Sequence, residues 1–230
     1  LRTCDNHSVY KMGAKEIASQ MGQSLTFMAK FNEREGNSCH IHLSFRDKKG
    51  NPILAGEAGD GLSKAGRAYI AGIQKHMREL TLLFAPNINS YKRYQAGTFA
   101  PTAIKWGRDN RTCALRLVGQ GQSLRVENRV PGGDVNPYLA VAGMVAAGLS
   151  GIEENAELEP IFQGNAYALE TDRVPTSLRE ARDLWANSSW VRDTFGEDVQ
   201  KHYTHMADTE LDAFGRAVTD WERFRSFERM

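Results

Sequence analysis

Two histidines and one serine stand at alternate positions in the segment 39–45, which reads CHIHLSF. The apolar residues between them predict a β-strand, and residues two apart on a strand share one face. We therefore expect the side chains of His40, His42 and Ser44 to project into the same space. Imidazole can bind a divalent metal ion, donate to a phosphate or form an ordinary structural hydrogen bond. Taken alone, the segment is compatible with a ligand site and with a solvated strand face.

A second alternating segment, 124–129, reads LRVENR. On a strand, Arg125, Glu127 and Arg129 would share one face, while Leu124 and Val126 would pack inward. A carboxylate between two guanidinium groups suits a metal–phosphate site, since the carboxylate binds a hard cation and the guanidinium groups bind anionic oxygens. A solvated strand with cross-strand ion pairs would show the same pattern.

Arginines cluster between positions 93 and 129. They are Arg93, Arg108, Arg111, Arg116, Arg125 and Arg129. These residues are interleaved with strand residues and lack the series of aromatic side chains on which nucleic-acid bases stack. Guanidinium groups bind phosphate and carboxylate through paired N–H donors, so the cluster favours recognition of a small anion over that of a polymer.

The elements that must position these residues have an α+β pattern. Short strands are predicted over 25–28, 112–118 and 123–130 in addition to 39–45. Helices are predicted over 9–21, 62–84, from Pro137 to about Ile152, and over 208–230. We expect an antiparallel sheet with flanking helices, in a strand-rich part of about 1–152 and a helical part of about 153–230.

The composition is that of an ordinary globular protein, with 41% hydrophobic and 25% charged residues and a net charge of +1. This charge gives no reason to expect nucleic acid or a membrane as a partner, and no apolar run is long enough to span a bilayer. Three widely spaced cysteines argue against a disulfide framework and for a reducing compartment, so we expect the cytoplasm. The chain starts with Leu1, from which we expect it to be part of a longer protein.

Several motifs occur in an order and spacing that resemble the catalytic domain of glutamine synthetase. They are TFMAK (26–30), Gly36, HIHLS (40–44), NSYKR (89–93), AP (100–101), NR (110–111), LR (115–116), RVENR (125–129) and NPYL (136–139). The resemblance is clear from about Asp5 to Ile152 and continues more weakly to Met230. It implies that the chain is the C-terminal portion of such a catalytic domain, with the N-terminal part missing.

The resemblance also implies a role for each matching side chain. His40 and Glu127 would bind the Mg²⁺ or Mn²⁺ that bridges the phosphates of ATP. The nucleotide and its phosphates would contact His42, Ser44, Arg116 and Arg125. The substrate glutamate would be held by Gly36, Arg93 and Arg129, and the catalytic residues would be Arg111, which stabilises the transferred phosphoryl group, and Arg93.

The reaction implied by the resemblance is an ATP-dependent ligation. The side-chain carboxylate of glutamate attacks the γ-phosphate of ATP, whose charge is neutralised by the metal and the arginines. Ammonia or a small amine then attacks the γ-glutamyl phosphate, from which water must be excluded. The family also implies a large homo-oligomer of stacked rings, with each active site between neighbouring subunits.

Phe99 is the main departure from the family pattern. Ammonia-using members have a glutamate six residues after the arginine of the NSYKR motif, where it binds and deprotonates ammonium. A phenyl ring can do neither and suits the apolar stem of an alkylamine or polyamine better. We therefore hypothesise a γ-glutamyl-amine ligase that prefers an organic amine or polyamine, with an ammonia-using glutamine synthetase as the alternative. Glu35, where ammonia-using members often have Asn, is a smaller departure.

The other metal-binding glutamates of the family lie upstream of the segment that begins at Leu1. We therefore expect this chain alone to be inactive. A non-catalytic structural relative is the main alternative of another class, and the intact HxHxS and RxExR faces argue against it. An unrelated anion-binding module would require every motif to be a coincidence. Tyr167 aligns loosely with a tyrosine that some bacterial relatives adenylylate, but the surrounding loop differs and favours an ordinary loop tyrosine.

Overall fold

The chain folds into helices and one small sheet. The computed structural model describes residues 1–57, 59–95, 98 and 100–229. The strands are β1 (Ile41–Leu43), β2 (Trp106–Arg108), β3 (Leu115–Val118) and β4 (Arg125–Asn128). The helices are α1 (Arg2–Gln20), α2 (Lys64–Phe84), α3 (Ile88–Tyr91), α4 (Pro137–Glu153), α5 (Leu178–Asn187), α6 (Ser189–Phe195), α7 (Glu197–Arg216) and α8 (Asp220–Ser226). The predicted α+β class is confirmed.

The four strands form one sheet in the order β1-β4-β3-β2. β4 pairs antiparallel with both β1 and β3, as predicted, but β2 pairs parallel with β3. A parallel neighbour is possible here because β2 has only three residues and is about 10 Å long. The segment 109–114 is therefore long enough to lead the chain back to the same end of the sheet.

One face of this sheet contributes to the hydrophobic core that it shares with α2. The strand residues Leu115, Leu117 and Val126 belong to the same hydrophobic core as Ile73 and Met77 of α2. Because side chains alternate along a strand, burial of these residues sends the polar residues between them to the opposite face. The polar face therefore carries the candidate site.

Helices α2 and α4 form the scaffold behind the sheet. Ser63 caps the N-terminus of α2, because its hydroxyl accepts a hydrogen bond from the backbone N–H of Gly66 at 2.9 Å. α4 begins at Asn136, whose side chain accepts from the N–H of Tyr138 at 3.0 Å, and Pro137 occupies the first turn. Tyr69 then joins the two helices by donating to the carbonyl oxygen of Met144 at 3.1 Å.

Three predictions of secondary structure from the sequence were wrong. The segment 25–28 pairs with no strand in the described part of the chain, and Leu25 and Met28 are partly exposed. The first helix begins at Arg2 rather than at position 9. The single helix predicted over 208–230 is two helices, α7 and α8, because Thr219 and Glu222 form a capping box that starts a new helix.

None of the helices that the structure describes combines the length and apolar character needed to cross a membrane. The most apolar long helix, α4, packs against α2 instead.

Candidate active site

The register of three strands brings the predicted site residues together. His42 on β1 lies opposite Glu127 on β4, and Glu127 lies opposite Arg116 on β3. Directly opposed residues on antiparallel strands project to the same face. Continuing the register outward sets His40 beside Arg129 and Ser44 beside Arg125. The two alternating motifs of the sequence therefore form one polar surface.

Glu127 is the centre of this surface and is only 2% exposed. One of its carboxylate oxygens, Oε1, lies 3.1 Å from Nδ1 of His40 and 3.0 Å from Nη1 of Arg129. The same oxygen lies 3.6 Å from Nε2 of His42. The other oxygen, Oε2, accepts from Nη1 of Arg116 at 3.0 Å. A buried carboxylate is thus compensated by two guanidinium groups and two imidazoles.

These contacts keep Glu127 ionised. Burial by itself would raise the pKa of its carboxyl group, but hydrogen bonds from His40 and Arg116 and the charge of Arg129 lower that pKa from 4.5 to about 2. For His42, burial and the charge of Arg125 lower the pKa below 6.5 despite the attraction of Glu127. His42 is therefore a neutral imidazole at neutral pH.

The hydrogen bonds of the two histidines indicate which ring nitrogen carries the proton. Nδ1 of His42 accepts from Nε of Arg125 at 3.3 Å, so neutral His42 carries its proton on Nε2, toward Glu127. His40 points Nδ1 at Glu127, so that nitrogen is the donor. Nε2 of His40 is buried and has no hydrogen-bond partner among the described residues. Nε2 of His40 is therefore available to a ligand, whereas Nδ1 of His42 is occupied by Arg125.

The arginines on the other side of Glu127 line an open cleft of about 820 Å³. Its walls are Arg108, Asp109, Asn110, Arg111, Arg116 and the segment 161–164. Arg116 is fixed by Glu127 on one side and by the carboxylate of Asp109 on the other. Arg111 is exposed and forms no ion pair with any residue that the structure describes. The cleft thus combines fixed and free positive charge, as an anionic ligand would require.

Arg93 lies deeper, with 2% exposure. It donates from Nη1 to the hydroxyl of Ser38 at 3.1 Å and from Nη2 to the carbonyl oxygen of Val130, the residue after Arg129. Gly36 packs directly on it, since a Cβ at Gly36 would lie 3.0 Å from Cγ of Arg93. The predicted pair of Gly36 and Arg93 is therefore in contact, and both lie on the Arg129 side of the polar surface.

Two polar residues that the sequence analysis missed hold this region in place. Asp134 accepts from the hydroxyl of Ser90 at 2.6 Å and from the side-chain amide of Asn87 at 2.8 Å, which fixes the start of α3. Asn89 exchanges two hydrogen bonds of 2.8 Å with the backbone of Lys30, in the segment that leads to Gly36. Asn89 stands inside the NSYKR motif and Asp134 lies just before the NPYL motif. Their contacts join segments about 45 to 60 positions apart, which local spacing does not reveal.

The donor set suits part of a divalent metal site. An ionised carboxylate is a ligand that Mg²⁺ and Mn²⁺ prefer, and a free imidazole nitrogen suits Mn²⁺ as well. Glu127 and Nε2 of His40 supply these two donors. No group of three or more His, Cys, Asp or Glu side chains in the described ranges has metal-binding geometry.

The remaining sequence-based assignments have different outcomes. Ser44 and Glu35 are exposed, and Ser44 continues the polar strand face. Phe99, on which the choice of amine was argued, lies outside the described residues. The individual ligand roles of all the site residues stay predictions.

A family model described as the catalytic domain of glutamine synthetase matches residues 1–226. The chain therefore belongs to the glutamine synthetase catalytic-domain family.

Among individual relatives, a γ-glutamylethanolamide synthetase of Streptomyces coelicolor is 63% identical over 100% of this chain and 49% of its own length. A glutamate–isopropylamine ligase of a Pseudomonas species is 37% identical over 98% of this chain and 50% of its own length. A solved structure described as GmaS without ligand aligns with a TM-score of 0.89 and 31% identity, over 98% of this chain and 53% of that one. The chain thus spans about half the length of the relatives it matches.

Proposed function

We propose that the complete protein, to which this chain belongs, ligates glutamate to an organic amine in a reaction driven by ATP. The observation that carries the proposal is the carboxylate of Glu127 held among His40, Arg116 and Arg129 beside an arginine-lined cleft. A buried acidic centre with positive charge on both sides fits a reaction in which a metal-bound phosphate meets a second anion. Membership of the glutamine synthetase family supports the same reaction.

In this proposal, each side chain either neutralises charge on a substrate or holds a substrate in position. Arg111 is free to pair with the phosphoryl group in transfer, because no described residue neutralises it. Arg93 and Arg129 are buried and would bind the carboxylates of glutamate. Bound Mg²⁺ or Mn²⁺ would neutralise the phosphates of ATP, and the chain would hold it through His40 and Glu127. Arg125, His42 and Ser44 would contact the nucleotide.

The proposed acceptor is a small primary amine with an apolar or hydroxylated stem. The relative with 63% identity is named for the product γ-glutamylethanolamide, and the relative with 37% identity is named for the ligation of glutamate to isopropylamine. Phe99 replaces the glutamate with which ammonia-using members bind ammonium, so the sequence supports the same choice. We also propose a homo-oligomer, which the exposed apolar side chains of Trp221, Phe224 and Phe227 support because such groups are normally covered.

An amine panel on the complete protein tests the proposed function. Release of phosphate from ATP is measured with glutamate and Mg²⁺ or Mn²⁺, and with ammonium, ethanolamine, isopropylamine, putrescine or spermine. We expect kcat/KM for one organic amine to exceed that for ammonium at least about tenfold. A preference for ammonium would support an ammonia-using glutamine synthetase instead. No glutamate-dependent phosphate release with any amine would support a non-catalytic relative.

A matched pair of variants connects the panel to the described site. Glu127→Gln keeps the shape of the side chain but removes the charge around which the surface is arranged, so we expect phosphate release to fall at least about a hundredfold. Glu157→Gln removes the same charge from an exposed loop and should retain wild-type rates. Equal rates in the two variants would show that the reaction takes place elsewhere.

A further inference from the structure

Asp109 carries a carboxylate into a cleft whose other charged lining residues, in the part of the chain that the structure describes, are arginines. The cleft of about 820 Å³ is lined by Arg108, Arg111 and Arg116 as well as by Asp109. The side chain of Asp109 is 70% exposed, and it accepts a hydrogen bond from Nη2 of Arg116, whose side chain is 16% exposed. Ion pairs with so exposed a partner contribute little to stability, and a negative charge in the cleft repels the anions that the arginines attract. Stability alone therefore does not account for a carboxylate at this position.

The backbone of Asp109 sets its carboxylate beside Arg116. Asp109 directly follows β2 and has a φ of 53°, in the left-handed region that Asp and Asn adopt more readily than most other residues. Its N–H donates to the carbonyl oxygen of Leu117 at 3.0 Å, and Leu117 is the neighbour of Arg116 on β3. Unusual backbone conformations of this kind persist where the surrounding structure holds them, and they concentrate at functional sites. The position of the carboxylate is thus determined by the backbone as well as by the ion pair.

Two carboxylates hold Arg116, one at each end of its guanidinium group. Nη1 donates to Oε2 of Glu127 at 3.0 Å, and Nη2 donates to Oδ1 of Asp109. With Glu127 alone, the guanidinium group could turn about that single contact, whereas the second contact fixes its plane. Burial by itself would lower the pKa of Arg116, but hydrogen bonds to Glu127 and Asp109 raise that pKa above its usual value. Arg116 is therefore a cation in a fixed orientation.

A guanidinium group that is fixed in the wall of the cleft can still bind an anion. Each Nη atom of Arg116 carries two N–H groups and donates one of them to a carboxylate, which leaves the other for a ligand. Donors that are already oriented stabilise the charge of a phosphoryl group in transfer without having to reorganise. Initial binding of ATP, in contrast, would be shared with the metal ion and with the other residues assigned to the nucleotide. Loss of the orientation of Arg116 should therefore slow the transfer more than it weakens binding.

We propose that Asp109 is a positioning residue, which holds the guanidinium group of Arg116 in the orientation that stabilises the phosphoryl group during its transfer from ATP to glutamate. This inference rests on the proposed function, because it takes that transfer as the reaction. Asp109 acts through Arg116 and not by its own contact with a substrate. Asn110 anchors the same turn, because its side-chain amide donates to the carbonyl oxygen of Gly164 at 2.9 Å. The turn 109–110 thus holds both Arg116 and the wall of the cleft that contains Gly164.

Asp109→Asn in the complete protein tests this role. Asparagine keeps the size of the side chain and tolerates the left-handed backbone, but it lacks the charge that binds Arg116. We expect kcat for glutamate-dependent phosphate release to fall about tenfold, with the KM values for ATP and glutamate changed less than about twofold. Asp193→Asn is the matched control, because Asp193 is 69% exposed, pairs with Arg192 at 3.2 Å and lies on α6. This variant should keep the wild-type kcat and KM values.

A double-mutant cycle shows whether Asp109 acts through Arg116. In an Arg116→Gln background, Asp109→Asn should reduce kcat further by less than about twofold, because the guanidinium group that it positions is already absent. Losses that multiply would overturn the inference, since Asp109 would then act independently of Arg116. The Tm of Asp109→Asn without ligand should match that of the wild type, because the ion pair has an exposed partner. A Tm lowered by more than about 3 °C would overturn the inference in favour of a structural role.

The kinetic outcomes of Asp109→Asn separate this inference from the proposed function. An unchanged kcat, with an active wild type, overturns the inference and leaves the proposed function intact. A lower KM for ATP without a loss of kcat also overturns the inference, because Asp109 would then compete with the phosphates for Arg116. If the wild type itself shows no glutamate-dependent phosphate release, the proposed function fails, and this inference fails with it.

Discussion

At the scale of single residues, Glu127 connects the stability of the site to its chemistry. Its carboxylate is almost fully buried and touches both imidazoles and both neighbouring arginines. Without Glu127, Arg129 would lose its ion pair in a buried region, and Arg116 would keep only its pair with Asp109. The same carboxylate is the strongest metal-ligand candidate, so removal of its charge affects both folding and ligand binding.

Glu127 should make stability depend on pH in a defined window. Folding lowers its pKa from 4.5 to about 2, so the folded state binds this proton more weakly than the unfolded state. The stabilisation, of about 3 kcal/mol, is full above pH 4.5 and is lost as the pH falls toward 2. In urea unfolding, the deficit of Glu127→Gln relative to wild type should therefore shrink below pH 4.5. A deficit that is the same at pH 7 and pH 3 would contradict this, and Glu33→Gln on an exposed loop controls for the loss of one charge.

The two histidines should differ in metal binding although they share a face. Nε2 of His40 has no hydrogen-bond partner among the described residues. In His42, Nδ1 accepts from Arg125 and Nε2 lies 3.6 Å from the carboxylate of Glu127. We expect His40→Asn to weaken Mn²⁺ binding by the complete protein at least about tenfold and His42→Asn to weaken it less than about threefold. Titration with Mn²⁺ followed by electron paramagnetic resonance measures both. Equal losses would show that the ring assignments change when the metal binds.

At the scale of elements, the close contact of α2 and α4 holds the helical part of the core together. The helices touch through glycines: a Cβ at Gly72 would lie 2.1 Å from the carbonyl oxygen of Ala147 and 2.8 Å from Cα of Gly151. We expect Gly72→Ala to force the helices apart and to lower the free energy of unfolding by about 3 kcal/mol. Gly13→Ala, in open space on α1, should instead raise it by about 0.5–1 kcal/mol. Urea unfolding measures both, and a neutral Gly72→Ala would show that the helices separate easily.

Local patterns predicted the polar strand faces but not every element. The HxHxS and RxExR alternations have a period of two, which a strand imposes regardless of its neighbours. β2 was missed because Trp106, Gly107 and Arg108 show no alternation, and only pairing with β3 makes them a strand. The reverse error occurred at 25–28, where an apolar alternation has no partner strand in the described ranges. The break before α8 could have been predicted, because Thr219 and Glu222 have capping-box spacing.

The site shows the same division between local and distant information. Arg125, Glu127 and Arg129 were placed together from spacing alone, and the structure has them on one surface. Asp134, Asn89 and Asp109 hold the site in place through hydrogen bonds and an ion pair. They lie in distant segments or in loops, where sequence spacing carries no information about contacts. Tyr167 was favoured as an ordinary loop tyrosine because the loop around it differs from that of the adenylylated relatives. In the described part of the chain its hydroxyl has no hydrogen-bond partner, which the sequence does not reveal.

At the scale of the whole molecule, the described chain provides an incomplete site. It spans about half the length of its relatives, and two metal donors, His40 and Glu127, are fewer than Mg²⁺ or Mn²⁺ requires. The cleft beside Arg111 is wide open. An acyl phosphate in such a cleft would be hydrolysed by water before an amine could attack it. Under the proposed function, the rest of the protein or a neighbouring subunit would supply the further ligands and close the cleft.

The 230-residue chain alone should therefore fold without catalysing ligation. We expect it to release no phosphate from ATP above background with glutamate and the best amine of the panel, while the complete protein turns over. It should bind Mn²⁺ at least about tenfold more weakly than the complete protein, because each lost carboxylate ligand removes charge from the site. Circular dichroism of the chain provides the control for folding, since loss of the helices would explain inactivity trivially. ATP-dependent ligation by the isolated chain would refute the prediction, because it would show that these residues contain a complete site.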